Sequence, residues 1–243
     1  MGAGRTARSD RQENLPQDGR EPERDRSHSR PWYSRLNWPF PGAFSKGWLM
    51  FYDPRRTDAK ADLGLPHDPF KALVQPRPIG WISTRSKAGV DNLAPYSFFN
   101  ALASAPPLVM FSANGSPHSI ANARDTGEFV VNMVSEELAQ AMNATATQDA
   151  VDEFERAGLA KAPCEVVSAP RVAIAPASLE CQVVQIIELP GDANIMAIGE
   201  VVGIHIDDGI MTDGKVSNWT ALARLGYMDY TAVRDVFSLN RPG

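Results

Sequence analysis

Two long strand-like segments separated by a tight turn constrain the fold of this chain most. Leu179–Leu189 (LECQVVQIIEL) and Ile195–Ile206 (IMAIGEVVGIHI) are rich in β-branched residues, which favour strands. Between them lies Pro190–Asn194 (PGDAN), whose Pro, Gly, Asp and Asn are turn formers. The pattern predicts a long antiparallel β-hairpin.

The rest of the chain adds shorter strands and a few short helices. Apolar, β-branched runs predict further strands at Ile79–Ser83, Leu108–Ser112 and Phe129–Met133. Capping residues and terminal glycines predict helices at Ser116–Thr126, Ser135–Ala146, Val151–Ala157 and Ser217–Leu225. Strands and helices do not alternate as a doubly wound sheet requires. We therefore expect a mainly β fold, a closed or partly closed barrel with a few short peripheral helices.

Charge and hydropathy exclude several classes of protein. The chain has 243 residues and a net charge of −5, so we expect no nucleic-acid partner, since phosphate binding normally needs a basic surface. No apolar run approaches 18 residues in length, which argues against a membrane span. No apolar segment follows the N-terminal charges, so we expect no secretory signal and a cytoplasmic location.

The first 45 residues differ in composition from the remainder. Residues 1–30 are rich in Arg and acidic residues and poor in apolar ones, which is typical of disorder. Residues 31–50 contain Trp32, Trp38 and Trp48 among prolines, and they form either a linker or an arm that docks on the domain or on a second subunit. We expect residues 1–45 to be a disordered or arm-like extension and residues 46–243 to form the domain.

Common catalytic and metal motifs are absent from the sequence. It contains no GxxxxGK[ST], GxGxxG, HExxH or GxSxG pattern. Cys164 and Cys181 lie in no CxxC pattern, and the four histidines are far apart in sequence. We expect two buried, reduced thiols and no metal site; a disulfide or a metal ligand is the less favoured alternative.

Two segments have the residue types that hold the phosphate of a ligand. In Pro76–Gly89 a strand runs into hydroxyls and two cations, which indicates either an anion cradle or a solvated strand end. In Ser112–Ser119 a strand runs through a polar loop into a helix N-terminus, where N–H groups and the helix dipole favour an anion. His118 and Ser119 add possible donors there. The alternative for this segment is a capped helix without a ligand.

A third segment, Asp91–Phe99 (DNLAPYSFF), suits a flat heterocycle. Extended backbone offers polar groups to a ring, Asn92 and Ser97 can bond to its edge, and Tyr96 or Phe98 can pack on its face. The alternative is a loop whose aromatic side chains fill the core. A phosphate site beside a planar-ring site is the combination that flavin mononucleotide (FMN) needs.

The same segments resemble a known family. RPIGWIST, NLAPYSFFN and LVMFS follow one another as in the flavin reductase-like family, and the resemblance extends over roughly residues 66–236. It implies a Greek-key split β-barrel of the FMN-binding type. It also implies an NAD(P)H:flavin reductase that passes hydride to FMN for a downstream acceptor or a partner monooxygenase, and a homodimer. Two other activities fit the resemblance: a flavoredoxin-like electron carrier and a non-catalytic flavin-binding module.

The resemblance also implies which residues bind FMN. The flavin carries the chemistry, so it implies no catalytic side chain. His118 and Ser119 stand where many members have Lys and Thr, which implies weaker or more pH-dependent phosphate binding, or help from Arg85 and Lys87. The implied cofactor-binding residues are Ser83 and Thr84 near FMN; Asn92, Leu93, Ala94, Tyr96, Ser97 and Phe98 along the ring; Ser112, Ala113, Asn114, His118 and Ser119 toward the phosphate; and Arg224 near the ligand.

Overall fold

A computed structural model describes residues 51–242 of the chain, apart from positions 57, 58, 63, 116, 148 and 150. The chain divides into two units, Met1–Tyr52 and Asp53–Gly243, and the second contains the fold described below. The expected boundary after residue 45 and the expected arm at 31–50 lie outside the described residues. Within the described part, no helix is long and apolar enough to cross a membrane.

Strands dominate the second unit. The strands are β1 (Arg77–Pro78), β2 (Gly80–Arg85), β3 (Asp91–Tyr96), β4 (Phe99–Ser104), β5 (Pro107–Asn114), β6 (Glu128–Asn132), β7 (Lys161–Ala162), β8 (Arg171–Val172), β9 (Ala177–Leu189), β10 (Asn194–Ile206), β11 (Met211–Thr212), β12 (Lys215–Val216), β13 (Leu222–Arg224) and β14 (Tyr230–Ala232). The α-helices are short: α1 (Ala59–Asp62), α2 (Phe70–Leu73), α3 (His118–Thr126), α4 (Ala139–Ala144) and α5 (Glu153–Arg156). Short 3₁₀ turns occupy Glu136–Leu138 and Asp208–Ile210.

One antiparallel sheet of seven strands, in the order β3-β2-β6-β9-β10-β5-β4, forms the barrel. Its two edge strands, β3 and β4, are consecutive in the chain and are joined by Ser97 and Phe98 alone. A link this short spans at most about 10 Å, so the sheet must curl until its edges meet. The N–H of Ser112 on β5 donates to the carbonyl of Phe98 at 2.8 Å, which continues the β4–β5 ladder into this link. A smaller sheet, β1-β13-β14, lies outside this ring of strands.

The barrel interior is packed with aromatic rings. Phe111 on β5 contacts Phe129 on β6 edge to face, with ring centroids 5.1 Å apart, and both side chains are fully buried. Gly199 on β10 faces Phe129, where an added Cβ would lie 2.5 Å from the ring. Only glycine therefore lets β10 approach this ring. A second apolar cluster, which includes Trp81, Leu93 and Phe154, packs the short helices against the outside of β2 and β3.

The structure confirms the mainly β split barrel and the long hairpin, because β9 and β10 pair antiparallel across the predicted turn. Three of the four predicted helices are present in shortened form as α3, α4 with its 3₁₀ turn, and α5. The cap expected at Ser116 falls on a residue outside the described ones. The helix predicted at Ser217–Leu225 is wrong. Its last residues form β13, which pairs with β1 and β14, and this pairing overrides the local helix signal.

Candidate functional site

Strand β3 separates two cavities, and its alternation assigns residues to each. Asn92, Ala94 and Tyr96 line the first cavity, whereas Pro95 and the following Ser97 line the second. Successive side chains of a strand point to opposite faces, so one six-residue strand serves both. Pro95 has no N–H to donate, which is tolerated because β3 is an edge strand.

The first cavity has a volume of about 350 Å³ and opens onto the N-terminus of α3. Pro117, His118 and Ser119 of that helix line it, together with Asn114 at the end of β5. Among the described residues, no side chain caps the N-terminus of α3, whose N-cap position is Pro117. The first N–H groups of a helix have no intrahelical partner and carry its positive dipole, so this wall favours an anion. His118 is exposed, and it is the one basic side chain among the described residues that line this cavity.

A buried hydrogen bond connects the two predicted halves of the site. The Nδ2 of Asn92 donates to the Oγ of Ser119 at 2.9 Å, and both side chains are buried. Tyr96 also bonds to Ser119. Burial raises the pKa of the Tyr96 hydroxyl, and the bond to Ser119 offsets part of that rise. The strand and the helix are therefore held together where the predicted ring and phosphate positions meet.

Sequence reasoning missed the acidic wall of the first cavity, formed by Asp149 and Glu153. Glu153 is buried, and its Oε2 accepts the N–H of Leu93 at 3.2 Å. Asp149 pairs with Arg156 at 2.6 Å. The signal in the sequence was slight, because Glu153 belongs to a four-residue helix whose cap, Asp152, carries the visible motif.

The second cavity, about 260 Å³ in volume, is lined by basic and aromatic side chains. Lys71, Arg77 and Arg224 provide the positive charge. Arg77 is 6% exposed, and its guanidinium donates to the carbonyls of Leu225 at 2.7 Å and Val74 at 2.5 Å. The sequence analysis placed Arg224 near the ligand but missed Lys71, which stands in no recognisable motif, and Arg77, which opens the RPIGWIST block but was given no binding role.

Several predicted residues use their side chains within the fold. The Oγ of Ser83 donates to the carbonyl of Pro170 at 2.5 Å, and the Oγ1 of Thr84 accepts from Asn122 at 3.0 Å. Leu93 is fully buried in the outer apolar cluster.

Ser112 and Ala113 pair with β10, and Phe98 is 38% exposed beside the second cavity. Arg85, offered as a phosphate ligand, pairs instead with Asp91 at 2.7 Å. Contact with FMN stays a prediction for these residues and for the other implied cofactor-binding residues alike.

A cluster away from both cavities joins Cys164, Glu180 and His205, whose ligand-type atoms lie within 4.8 Å of one another. The Nε2 of His205 is 2.6 Å from the Oε1 of Glu180. The same carboxylate accepts the N–H groups of residues 165, 166 and 167 at 2.7–2.9 Å, so its acceptor positions are occupied. The sequence analysis missed this cluster because its members are far apart in the chain. Its visible role is to hold the 164–167 loop on β9.

Burial affects the two thiols of the described chain strongly. Burial and the nearby Glu180 carboxylate raise the pKa of Cys164 to about 12 and also raise the pKa of Cys181. Both cysteines are free. Neither is therefore an activated nucleophile near neutral pH.

Comparison with known proteins assigns the family. The flavin reductase like domain matches residues 74–226, which include β3, α3 and the residues that line the first cavity. The chain belongs to this family. A protein of Halalkalibacterium halodurans is 38% identical over 182 residues, covering 70% of this chain and 87% of its own length. A protein of Deinococcus radiodurans is 40% identical over 187 residues, covering 70% and 82%.

Solved structures share the fold. Nitrilotriacetate monooxygenase component B from Bacillus cereus superimposes with a TM-score of 0.71 at 29% identity, over 79% of this chain and all of that one. Pseudomonas fluorescens 2-nitrobenzoate 2-nitroreductase gives 0.65 at 29% identity, over 71% and 88%. A Shewanella frigidimarina split-barrel protein, assigned as a flavin reductase, gives 0.69 at 22% identity and supports the fold alone. The family supports a flavin-related oxidoreductase.

Proposed function

We propose that this protein is an NAD(P)H:flavin reductase that transfers hydride from NAD(P)H to FMN. The observation that carries the proposal is the first cavity, where strand β3 of a flavin reductase like domain meets the N-terminus of α3. An elongated ligand with a phosphate at one end and a flat ring at the other matches these two walls.

The donors present suit the phosphate of FMN. The N–H groups of the first turn of α3 point to the cavity end where the helix dipole is positive, and His118 adds a side-chain donor. Asn114 lines the same cavity, and its amide nitrogen donates to the Asp192 carbonyl at 3.3 Å and to the Oδ1 of Asn194 at 3.2 Å. The acidic side chains Asp149 and Glu153 lie in the same cavity and limit its affinity for anions. The N–H groups of α3 must therefore hold the phosphate against the helix, because repulsion by these two carboxylates opposes its binding elsewhere in the cavity.

The ring is proposed to lie along β3. Ala94 leaves space beside the strand, and Tyr96 offers an aromatic face and a hydroxyl that is oriented by Ser119. The flavin, when bound, supplies the hydride chemistry. The chain's own residues bind and orient it, and Asn92 fixes the strand to the helix so that the two walls keep their spacing.

A second subunit and a downstream acceptor complete the proposal. Exposed apolar side chains on β4 (Leu102, 49% exposed) and β9 (Val184, 57% exposed) support a homodimer. Likeness to a monooxygenase component B supports delivery of reduced flavin to a partner monooxygenase or another acceptor. The free thiols Cys164 and Cys181 support a cytoplasmic location.

The test is anaerobic reduction of the FMN-loaded protein. We expect the visible absorbance of bound flavin to bleach when NADH or NADPH is added, with a rate that saturates in the nucleotide. Photoreduction of the same sample is the control for a redox-competent flavin. Flavin that photoreduces but is not bleached by either nucleotide contradicts the reductase proposal and leaves an electron carrier or a binding module.

A further inference from the structure

Two arginines face each other across a strand pair in the second cavity. β1 pairs with β13 so that Arg77 lies directly opposite Arg224. Like charges placed directly opposite across an antiparallel pair destabilise the sheet. Burial lowers the pKa of Arg77, and the charge of Arg224 lowers it further. The folded protein therefore carries an unfavourable positive pair at this position.

Neutral groups, not carboxylates, surround these charges. The Arg77 guanidinium donates to backbone carbonyls, and Arg224 donates to the carbonyl of Tyr227 and stacks over Tyr230, with its guanidinium carbon 4.4 Å from the ring centroid. No Asp or Glu is among the described residues that line this cavity. The Nε of Arg77 has no hydrogen-bond partner within the described part of the chain. The positive charge of the cavity is left for a ligand to neutralise.

A third cation is held at the mouth of the same cavity by close packing. Lys71 lies on α2, and Gly226, just after β13, lies so near this helix that an added Cβ would be 2.7 Å from the Cα of Ala72. The ammonium of Lys71 lies 5.9 Å from the ring centroid of Phe98. Helix α2 therefore brings Lys71 to the side of the cavity where Arg77 and Arg224 lie.

The walls of the cavity also fit the organic part of a small ligand. Pro95 comes from β3 and Ser97 follows that strand, and Tyr227 and Tyr230 provide aromatic surface. Because β3 lines both cavities, a ligand in the second lies one strand away from the proposed flavin position. A volume of about 260 Å³ suits a small ring or a terminal phosphate better than a whole dinucleotide.

We propose that the second cavity binds the oxyanion, carboxylate or phosphate, of the reactant that exchanges electrons with the flavin. Arg77 and Arg224 grip it through charge-assisted hydrogen bonds, and Lys71 attracts it at the entrance. The proposal rests on the proposed function where it names the anion as the reactant of the flavin. Anion binding itself does not depend on that function, since the site binds an anion whether or not flavin is reduced. The proposal also assigns Arg224 to the second reactant and not to FMN.

The test measures anion binding and FMN binding separately on the full chain. Inorganic phosphate and benzoate are titrated into the wild type and the Lys71→Gln and Arg224→Gln variants, with binding followed by thermal shift. FMN affinity is measured by quenching of flavin fluorescence. Lys215→Gln, at an exposed lysine on β12 that lines neither cavity, is the matched control. Saturable binding of benzoate alone assigns a carboxylate ligand, and of phosphate alone a phosphate ligand.

We expect Arg224→Gln to weaken anion binding about tenfold or more, since a hydrogen bond to a charged group contributes roughly 1.5–3 kcal/mol. Lys71→Gln should weaken it by a smaller factor, and FMN affinity should stay within twofold in both variants. Wild-type protein that binds neither anion overturns the proposal, whatever FMN does. If FMN affinity falls together with anion affinity in these variants, the proposal is overturned, because FMN would then be the ligand of the second cavity. Failure of FMN to bind while anions still bind counts against the proposed function only.

Discussion

Replacing Glu180 by Gln should reveal how strongly one buried carboxylate holds the 164–167 loop on the barrel. The side chain of Glu180 is 1% exposed. Burial favours its neutral form, but three backbone N–H groups and His205 favour the ionised form more strongly. Together they lower the pKa of Glu180 from 4.5 to about 2.

The size of the effect follows from this pKa. The pKa of Glu180 is about 2.5 units lower in the folded than in the unfolded state, which corresponds to about 3 kcal/mol of stability. Because the folded pKa is the lower one, this stability is fully present above pH 4.5 and is lost as the pH falls through about 2. Glu180→Gln removes the charge and turns an amide NH₂ toward N–H donors. We expect it to lower the free energy of unfolding by about 3 kcal/mol at pH 7.

Urea denaturation at several pH values between 7 and 2 measures this difference directly. The difference in free energy of unfolding between wild type and Glu180→Gln should become smaller below pH 4.5, because the wild type then loses the stability that its ionised carboxylate provides. Glu188→Gln, at a side chain that is 84% exposed, is the control and should change stability little at any pH. If this difference in free energy of unfolding stays constant down to pH 2, the stability does not come from the ionised carboxylate and the reasoning is refuted.

Two further predictions concern the FMN site. His118→Lys should tighten FMN binding about fivefold above pH 7 and flatten its pH dependence, as read from fluorescence titrations at pH 6 and 8; unchanged binding at both pH values would place His118 away from the phosphate. Asn92→Ala and Ser119→Ala should each weaken FMN binding and each lower the free energy of unfolding by about 1–3 kcal/mol. In urea denaturation the double variant should lose less stability than the sum of the two single losses, because the two side chains share one hydrogen bond. Additive losses would show that the bond contributes little.

The barrel was predictable because its signals are local and repeated. The hairpin of β9 and β10 shows runs of β-branched residues on both sides of a turn, and the start of the helix that carries His118 and Ser119 is marked by its prolyl N-terminus. The segment Asp91–Phe99 was expected to be extended, and it is, although as an edge strand and the start of β4. These features depend on neighbouring residues in the chain.

What the sequence did not show depends on contacts between distant residues. Arg77 and Arg224 are brought together only by the pairing of β1 with β13, and the segment that becomes β13 reads locally as part of a helix. Cys164, Glu180 and His205 meet only after β9 and β10 pair. The hydrogen bonds of Ser83 to Pro170 and of Thr84 to Asn122 also join distant residues, and the contact of both residues with FMN, which the family resemblance implies, stays a prediction.

Equilibrium titration of the purified chain with FMN tests the central claim most directly. If the cavity between β3 and the N-terminus of α3 is the flavin site, FMN should bind at one site per chain. The Ala94→Trp variant, which places an indole in that cavity, should lose binding while keeping its cooperative unfolding transition. Ser217→Trp, at an exposed position outside both cavities, should bind as the wild type does. Undiminished FMN binding by a folded Ala94→Trp protein would contradict the account.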